Sequence, residues 1–282
     1  MKLVRFGAAG AEKPGLIDAE GRVRDLSQHV ADLTGATLGE ETLARLRAIE
    51  PEGLPLAPDG VRLGPPVGDV RNFIGIGLNY ADHAAEADLR IPREPVIFNK
   101  IGNCIVGAND DVMVPRGSTQ LDYEVEIAFV IGKRARYVEE AEAARYIAGY
   151  TICNDVSERH FQTERSGQWV KGKCCETFGP LGPWLVTPDE IADVHALSMW
   201  LDVNGEKRQR GNTSTMIFKI PFILSYVTQF MVLEPGDVVT TGTPPGVALG
   251  MKPPKWLQAG DEIRLGIDGL GEQCQKVVGL RM

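Results

Sequence analysis

The chain has 282 residues, with 38 acidic against 30 basic side chains and a net charge of -8. That is enough chain for one or two domains with a substantial core and no metal or disulfide staples. Its basic residues are scattered among a larger number of carboxylates, which excludes the basic footprint that duplex DNA needs, so no nucleic-acid partner is expected. No run reaches the eighteen apolar residues of a membrane span, and Met1-Lys2-Leu3-Val4-Arg5-Phe6 soon meets Gly7 and charge, so neither membrane insertion nor secretion is expected. The five cysteines, Cys104, Cys153, Cys174, Cys175 and Cys274, form no CxxC pair, which predicts a reduced, cytoplasmic protein without a catalytic thiol.

Taken in order, Leu3 to Phe6, Pro14 to Ile17 and Arg22 to Asp25 read as short strands, and Gly39 to Ile49 as a helix carrying Leu43, Leu46 and Ile49. Five prolines between Pro51 and Pro66 forbid a continuous element, so residues 1–66 are expected to form a small module and linker before a catalytic domain at 67–282. Asn72 to Gly77 reads as a buried strand, Ala81 to Ala87 as a short helix, and Pro95 to Asn99 and Asp111 to Val114 as strands. Leu121 to Ile131 is the clearest strand; Val138 to Ile147 has helical spacing and feeds the strand Gly149 to Cys153. Gly167 to Pro183 is rich in breakers and reads as loop. Asn204-Gly205 predicts a hairpin after Leu197 to Val203. Ile220 to Phe230 reads as a helix with Pro221 in its first turn, and Val238 to Thr241 and Glu262 to Ile267 as strands after matching Pro-Gly-Asp and Ala-Gly-Asp turns. Strands dominate, and no βαβ cadence, dinucleotide fingerprint or repeat is present, which disfavours a doubly wound sheet or solenoid.

The sharpest chemical feature is Glu124 and Glu126 in Leu121-Asp122-Tyr123-Glu124-Val125-Glu126-Ile127. Strand alternation turns both the same way, and two adjacent carboxylates repel unless a cation neutralises them. A solvated strand face would carry them harmlessly. Asp155, at the end of another apolar run, would complete a hard oxygen set suited to Mg²⁺ or Mn²⁺. This reading requires the three side chains to meet without lysine or arginine filling the space between them. His83 and Glu86 stand three residues apart on a helical turn, so the carboxylate can orient the imidazole, although such a pair is also common in purely structural roles. Lys171-Gly172-Lys173 offers an ammonium to an anion or stays solvated. The turn from Thr240 to Gly246, with Gly242 and Thr243, offers hydroxyls and backbone N–H groups as a carboxylate cradle, or is simply a tight turn.

Five motifs together, Asn79 to Glu86, Asp122 to Glu126, Asn154 to Ser157, Lys173 to Thr177 and Gly242 to Gly246, resemble the fumarylacetoacetate hydrolase family, in order over about three quarters of the chain from Arg71 to Leu280. The resemblance implies an α+β fold on a mixed, rolled sheet, a homodimer, and Mg²⁺ or Mn²⁺ held by Glu124, Glu126 and Asp155. It also implies His83 and Glu86 as a water-activating dyad, Lys173 as the catalytic lysine, Thr243 as a holder of the substrate carboxylate and Gln162 as a residue facing substrate. Gly242, Tyr80 and Arg159 are further candidate substrate contacts, while His160 reads as a surface or dimer-contact residue. Residues 1–66 resemble the variable leading domain of longer bacterial members. Cys174-Cys175-Glu176-Thr177 departs from the family's usual sequence after the lysine.

Family substrates share a 2-oxo acid head. The resemblance therefore implies hydrolysis of the C3–C4 bond of a 2,4-dioxo acid, releasing pyruvate, and the tail from Thr243 to Pro254 with Gly269-Leu270-Gly271 is similar to the subgroup acting on 2,4-dioxo-3-deoxy sugar acids. Two other outcomes keep the same site: decarboxylation of a 2-oxo acid, or isomerisation of a 2-hydroxydienoate. A reading of another class is a catalytically inactive fold member acting as an interaction protein, which would take up neither Mg²⁺ nor Mn²⁺.

Overall fold

The structure is a computed structural model that describes residues 1–86 and 90–280, with the side chains of residues 83–85 outside that description. His83 is thus placed by its backbone alone. The elements run β1 (Lys2–Phe6), β2 (Lys13–Ile17), β3 (Val23–Asp25), α1 (Glu40–Arg47), β4 (Phe73–Gly77), α2 (Ala81–Glu86), β5 (Val96–Lys100), β6 (Ile105–Gly107) and β7 (Val112–Met113). They continue with β8 (Leu121–Asp122), β9 (Val125–Ile131), β10 (Ile147–Asn154), β11 (Ser157–Glu158), α3 (Val170–Lys173), β12 (Gly179–Val186), β13 (Ser198–Val203) and β14 (Glu206–Asn212). The last are α4 (Ile220–Val227), β15 (Val238–Thr240), β16 (Glu262–Ile267) and β17 (Gly271–Val278).

A ten-stranded mixed sheet follows the order β3-β2-β1-β12-β10-β9-β15-β4-β5, with β6 joining β12 off that path. A five-stranded sheet, β14-β13-β16-β17-β7, packs on its centre through β9, β10 and β12. Every residue of β9 and β10 is buried. Covered on both faces, these two strands need no polar alternation, which is why Val125, Ile127, Phe129 and Ile131 stand among few polar neighbours. The fold is α+β, as expected.

β1 pairs antiparallel with β12, so the leading strands extend the central sheet, and Phe6 and Arg24 bridge to Leu63 and Leu56 of the proline-rich segment. Three departures from the sequence reading have physical causes. The expected helix Val138 to Ile147 is a tight 3₁₀ turn over Glu140–Tyr146. The expected loop Gly167 to Pro183 contains α3 and half of β12. Pro183 is tolerated because the ladder with β10 shifts register between Tyr150 and Ile152, where β12 runs from Val186 to Gly182 without a regular bond at every residue. Finally, Leu121 to Ile131 breaks at Tyr123-Glu124, where Leu121 and Asp122 leave to pair with Glu158 and Ser157.

Candidate metal centre and substrate cavity

The antiparallel register of β9 and β10 builds the site. Glu126 lies opposite Cys153 and Val125 opposite Asn154. One step further, Glu124 faces Asp155, whose N–H donates to the Glu124 carbonyl at 2.9 Å. Residues directly opposite share a face, as do residues two apart along one strand. Glu124, Glu126 and Asp155 therefore turn the same way, and one oxygen of each lies within 4.8 Å of the others. All three are buried.

Cations surround the cluster, and one lies within it. Lys173 Nζ, delivered by α3, donates to Glu124 Oε2 and Asp155 Oδ2, each at 2.7 Å. Lys100 Nζ, at the end of edge strand β5, donates to Asp155 Oδ1 at 2.7 Å and to the Lys173 carbonyl at 2.5 Å. Arg159 reaches Glu124 Oε1 at 2.5 Å and Asp122 Oδ2 at 2.8 Å. The condition that no basic side chain enter the triad thus holds only in part. Lysine bridges two of the carboxylates, while no ion pair among the described residues engages Glu126.

Counting Asp122, four carboxylates face three cations, and the uncompensated charge falls on Glu126. Its Oε2 accepts from Thr240 Oγ1 at 2.5 Å and Gly242 N at 2.8 Å. Burial, then Asp155 and Glu124, push its carboxyl well above the usual range. Glu124 goes the other way: burial opposes ionisation, but Arg159 and Lys173 outweigh it and lower the carboxyl to about 2. Lys100 is held above its ordinary value, its burial outweighed chiefly by Asp155. Three hard oxygen donors with one negative charge left over fit a small divalent cation seated beside Glu126, provided that the flexible Lys173 withdraws its ammonium.

Glu124 and Glu126 of the triad line a cavity of about 480 Å³, together with Ile76, Gly77, Leu78, Phe98, Trp169, Val247 and Leu249. Of the residues singled out from the sequence, Glu86, Arg159, Gln162, Lys173, Gly242 and Thr243 line it. Glu86 closes α2 and accepts from Gly246 N at 3.0 Å. Gln162 Oε1 accepts from Arg159 at 3.0 Å, which leaves its amide NH₂ as the donating end. Thr243 donates its hydroxyl to Val125 O at 2.9 Å and accepts from Gln209 at 2.8 Å. Tyr80 requires correction: it is fully buried, bonds Met199 Sδ at 3.3 Å through its hydroxyl, and does not line the cavity. Sequence reasoning missed Lys100 and gave Asp122 no role. Asp122 neutralises Arg159 and also accepts from Ala248 N at 2.8 Å, tying the rim loop to the floor.

Fold and site together define a member of a hydrolase and isomerase class with a buried acidic triad able to coordinate a metal. A family model described as Fumarylacetoacetate (FAA) hydrolase C-terminal matches residues 72–278, and the chain belongs to that family. A Burkholderia cenocepacia protein that carries only the general name hydrolase is 56% identical over 276 residues, 98% of each chain. Among solved structures, the fumarylacetoacetate hydrolase of Exiguobacterium antarcticum superposes with a TM-score of 0.86 at 38% identity, over 99% of this chain and 100% of that one. The 5-carboxymethyl-2-hydroxymuconate delta-isomerase of Mycobacterium smegmatis (TM-score 0.79, 32% identity) and the maleylpyruvate hydrolase of Sphingobium sp. SYK-6 with manganese(II) and pyruvate (0.84, 28%) each match over the full length of both chains.

Proposed function

We propose that this protein hydrolyses the C3–C4 bond of a 2,4-dioxo acid, adding one water and releasing pyruvate and a second carboxylic acid. The observation that carries the reading is the meeting of Glu124, Glu126 and Asp155, with Glu124, Glu126 and Lys173 on the wall of one cavity and Asp155 buried behind them. The Sphingobium maleylpyruvate hydrolase, solved in complex with manganese(II) and pyruvate, supports it. Mg²⁺ or Mn²⁺, when bound by the three carboxylates, supplies Lewis-acid polarisation of a 2-oxo acid.

The chain's own residues do the rest. His83, one turn before Glu86 on α2, takes a proton from water as its oxygen attacks C4, and Glu86 holds the imidazole for that step. The C3–C4 electron pair then passes into a pyruvate enolate. Lys173 turns its ammonium from the carboxylates to the enolate oxygen, where charge develops, and the proton that His83 took from water is returned to C3 of the enolate. Gln162 aims its NH₂ at the substrate carboxylate. Arg159, committed to Asp122, Glu124 and Gln162, is a positioning residue.

The test is pyruvate release from 2,4-dioxopentanoate, followed by a coupled assay with and without Mn²⁺. Metal-dependent release of equal amounts of pyruvate and acetate is expected, with His83→Ala reducing the rate roughly 10²- to 10⁴-fold. CO₂ without pyruvate would instead establish decarboxylation. Isomerisation is the second reading, favoured by the name of the Mycobacterium smegmatis structure, and a shifted ultraviolet band of a 2-hydroxydienoate without cleavage would establish it. A homodimer belongs to the same proposal, with sedimentation equilibrium as its check.

A further inference from the structure

From the charged floor the cavity wall runs outward through two aromatic rings. Lys173 Nζ lies 5.0 Å from the centroid of the Phe98 ring, and that ring meets Trp169 at 5.4 Å with a 55° tilt. Strand β4 is built to admit both. Its residues Gly75 and Gly77 occupy alternate positions on one face, where a Cβ would come within 2.1 Å of the Phe98 ring and 2.5 Å of the Trp169 indole. Leu78 and Leu249 line the same cavity. The hydroxyls of Thr163 and Thr243 are donated inward, to Arg159 O and Val125 O. Among the described residues, the one lining cation away from the floor is Lys252, which is exposed.

We infer that Phe98 and Trp169 form the subsite for the substrate's tail, and that the tail is apolar, an alkyl, alkenyl or phenyl group beyond C4. This rests on the 2-oxo acid reading above and replaces the polyhydroxylated sugar-acid tail expected from sequence resemblance. A sugar hydroxyl laid against the Phe98 ring, Leu78 or Leu249 would lose water without gaining a hydrogen-bonding partner from those side chains. A matching hydrocarbon gains affinity with each buried carbon.

The test uses 2-oxo acids that lack the 4-oxo group, so that binding is read apart from cleavage. Titration calorimetry on the Mn²⁺-loaded protein compares pyruvate, 2-oxoheptanoate, 2-oxoheptanedioate and a 2-oxo-3-deoxy sugar acid. The expected result is 2-oxoheptanoate binding at least about tenfold tighter than the sugar acid. Trp169→Ala should remove most of that gain and leave pyruvate within about threefold, with Trp169→Phe restoring part of it. A sugar acid that binds as tightly as 2-oxoheptanoate overturns the inference. A dicarboxylate that binds tenfold tighter does so too, since Lys252 would then read the tail, as does binding by none of the four. Cleavage is scored separately, by pyruvate release from 2,4-dioxoheptanoate. A protein that prefers 2-oxoheptanoate yet releases no pyruvate would refute hydrolysis and leave the tail subsite standing.

Discussion

Glu126→Gln isolates the uncompensated charge of the site. The wild-type carboxylate is buried, lies beside Asp155 and Glu124, and is engaged by two hydrogen-bond donors but by no ion pair among the described residues. Its folded-state carboxyl titrates above the unfolded value of 4.5. Stability from this group is therefore fully present below pH 4.5 and is lost as pH rises through the raised folded value, because the unfolded state then binds fewer protons. Glutamine keeps an acceptor for Thr240 and Gly242 without the charge. Metal-free Glu126→Gln should thus melt at or above the wild-type temperature at pH 8. Added Mn²⁺ at 100 times its Kd should stabilise the wild type by about 2.7 kcal/mol. That corresponds to a rise of roughly 4–5 °C for a chain of 282 residues. The variant should gain less than about 1 °C. Calorimetric scans of both proteins at pH 5 and pH 8, with and without Mn²⁺, give all four comparisons. A metal-free variant melting well below wild type at pH 8 would overturn this expectation, because it would show the Glu126 charge to be already neutralised.

Arg159→Met leaves Asp122 buried without its cation and Glu124 with Lys173 alone, so urea denaturation should show a loss of about 3–5 kcal/mol. Glu124, lowered to about 2 in the wild type, holds stability that is present above pH 4.5 and lost as pH falls toward 2; acid denaturation of Arg159→Met should accordingly begin at a higher pH. Cys174 and Cys175 are both pushed up to about 11, burial being the largest cause, so at pH 7.5 only about one thiol in a few thousand is ionised. Iodoacetamide should label them slowly, and the Cys174→Ser, Cys175→Ser double variant should keep pyruvate release within about threefold of wild type.

Much of the fold was legible because its strands are short apolar runs bounded by glycine and proline. The hairpin at Asn204-Gly205 forms with both residues at positive φ, as its sequence demands. The region around Pro180 and Pro183 was not legible, since the irregular pairing that takes Pro183 out of the ladder shows only once β12 is seen against β10. The carboxylate triad was half legible. Alternation sets Glu124 and Glu126 on one face, but the position of Asp155 opposite Glu124 follows from strand pairing, which a single sequence does not display. Lys100 gave no local cue, being one lysine at the end of an apolar strand. Tyr80 misled because it adjoins α2 in sequence while its ring turns into the core. The aromatic wall left only an indirect trace, the alternating glycines of Phe73-Ile74-Gly75-Ile76-Gly77, whose purpose is visible only once Phe98 and Trp169 are seen against them.

The proposed chemistry requires that the three carboxylates hold a divalent cation and that Lys173 yields its place to it. Anomalous diffraction from crystals grown with Mn²⁺ measures both at once. One manganese peak is expected, bonded by Glu124, Glu126 and Asp155, with the Lys173 ammonium turned into the cavity. Well-ordered crystals that show no peak, with Lys173 still bridging Glu124 and Asp155, would contradict it.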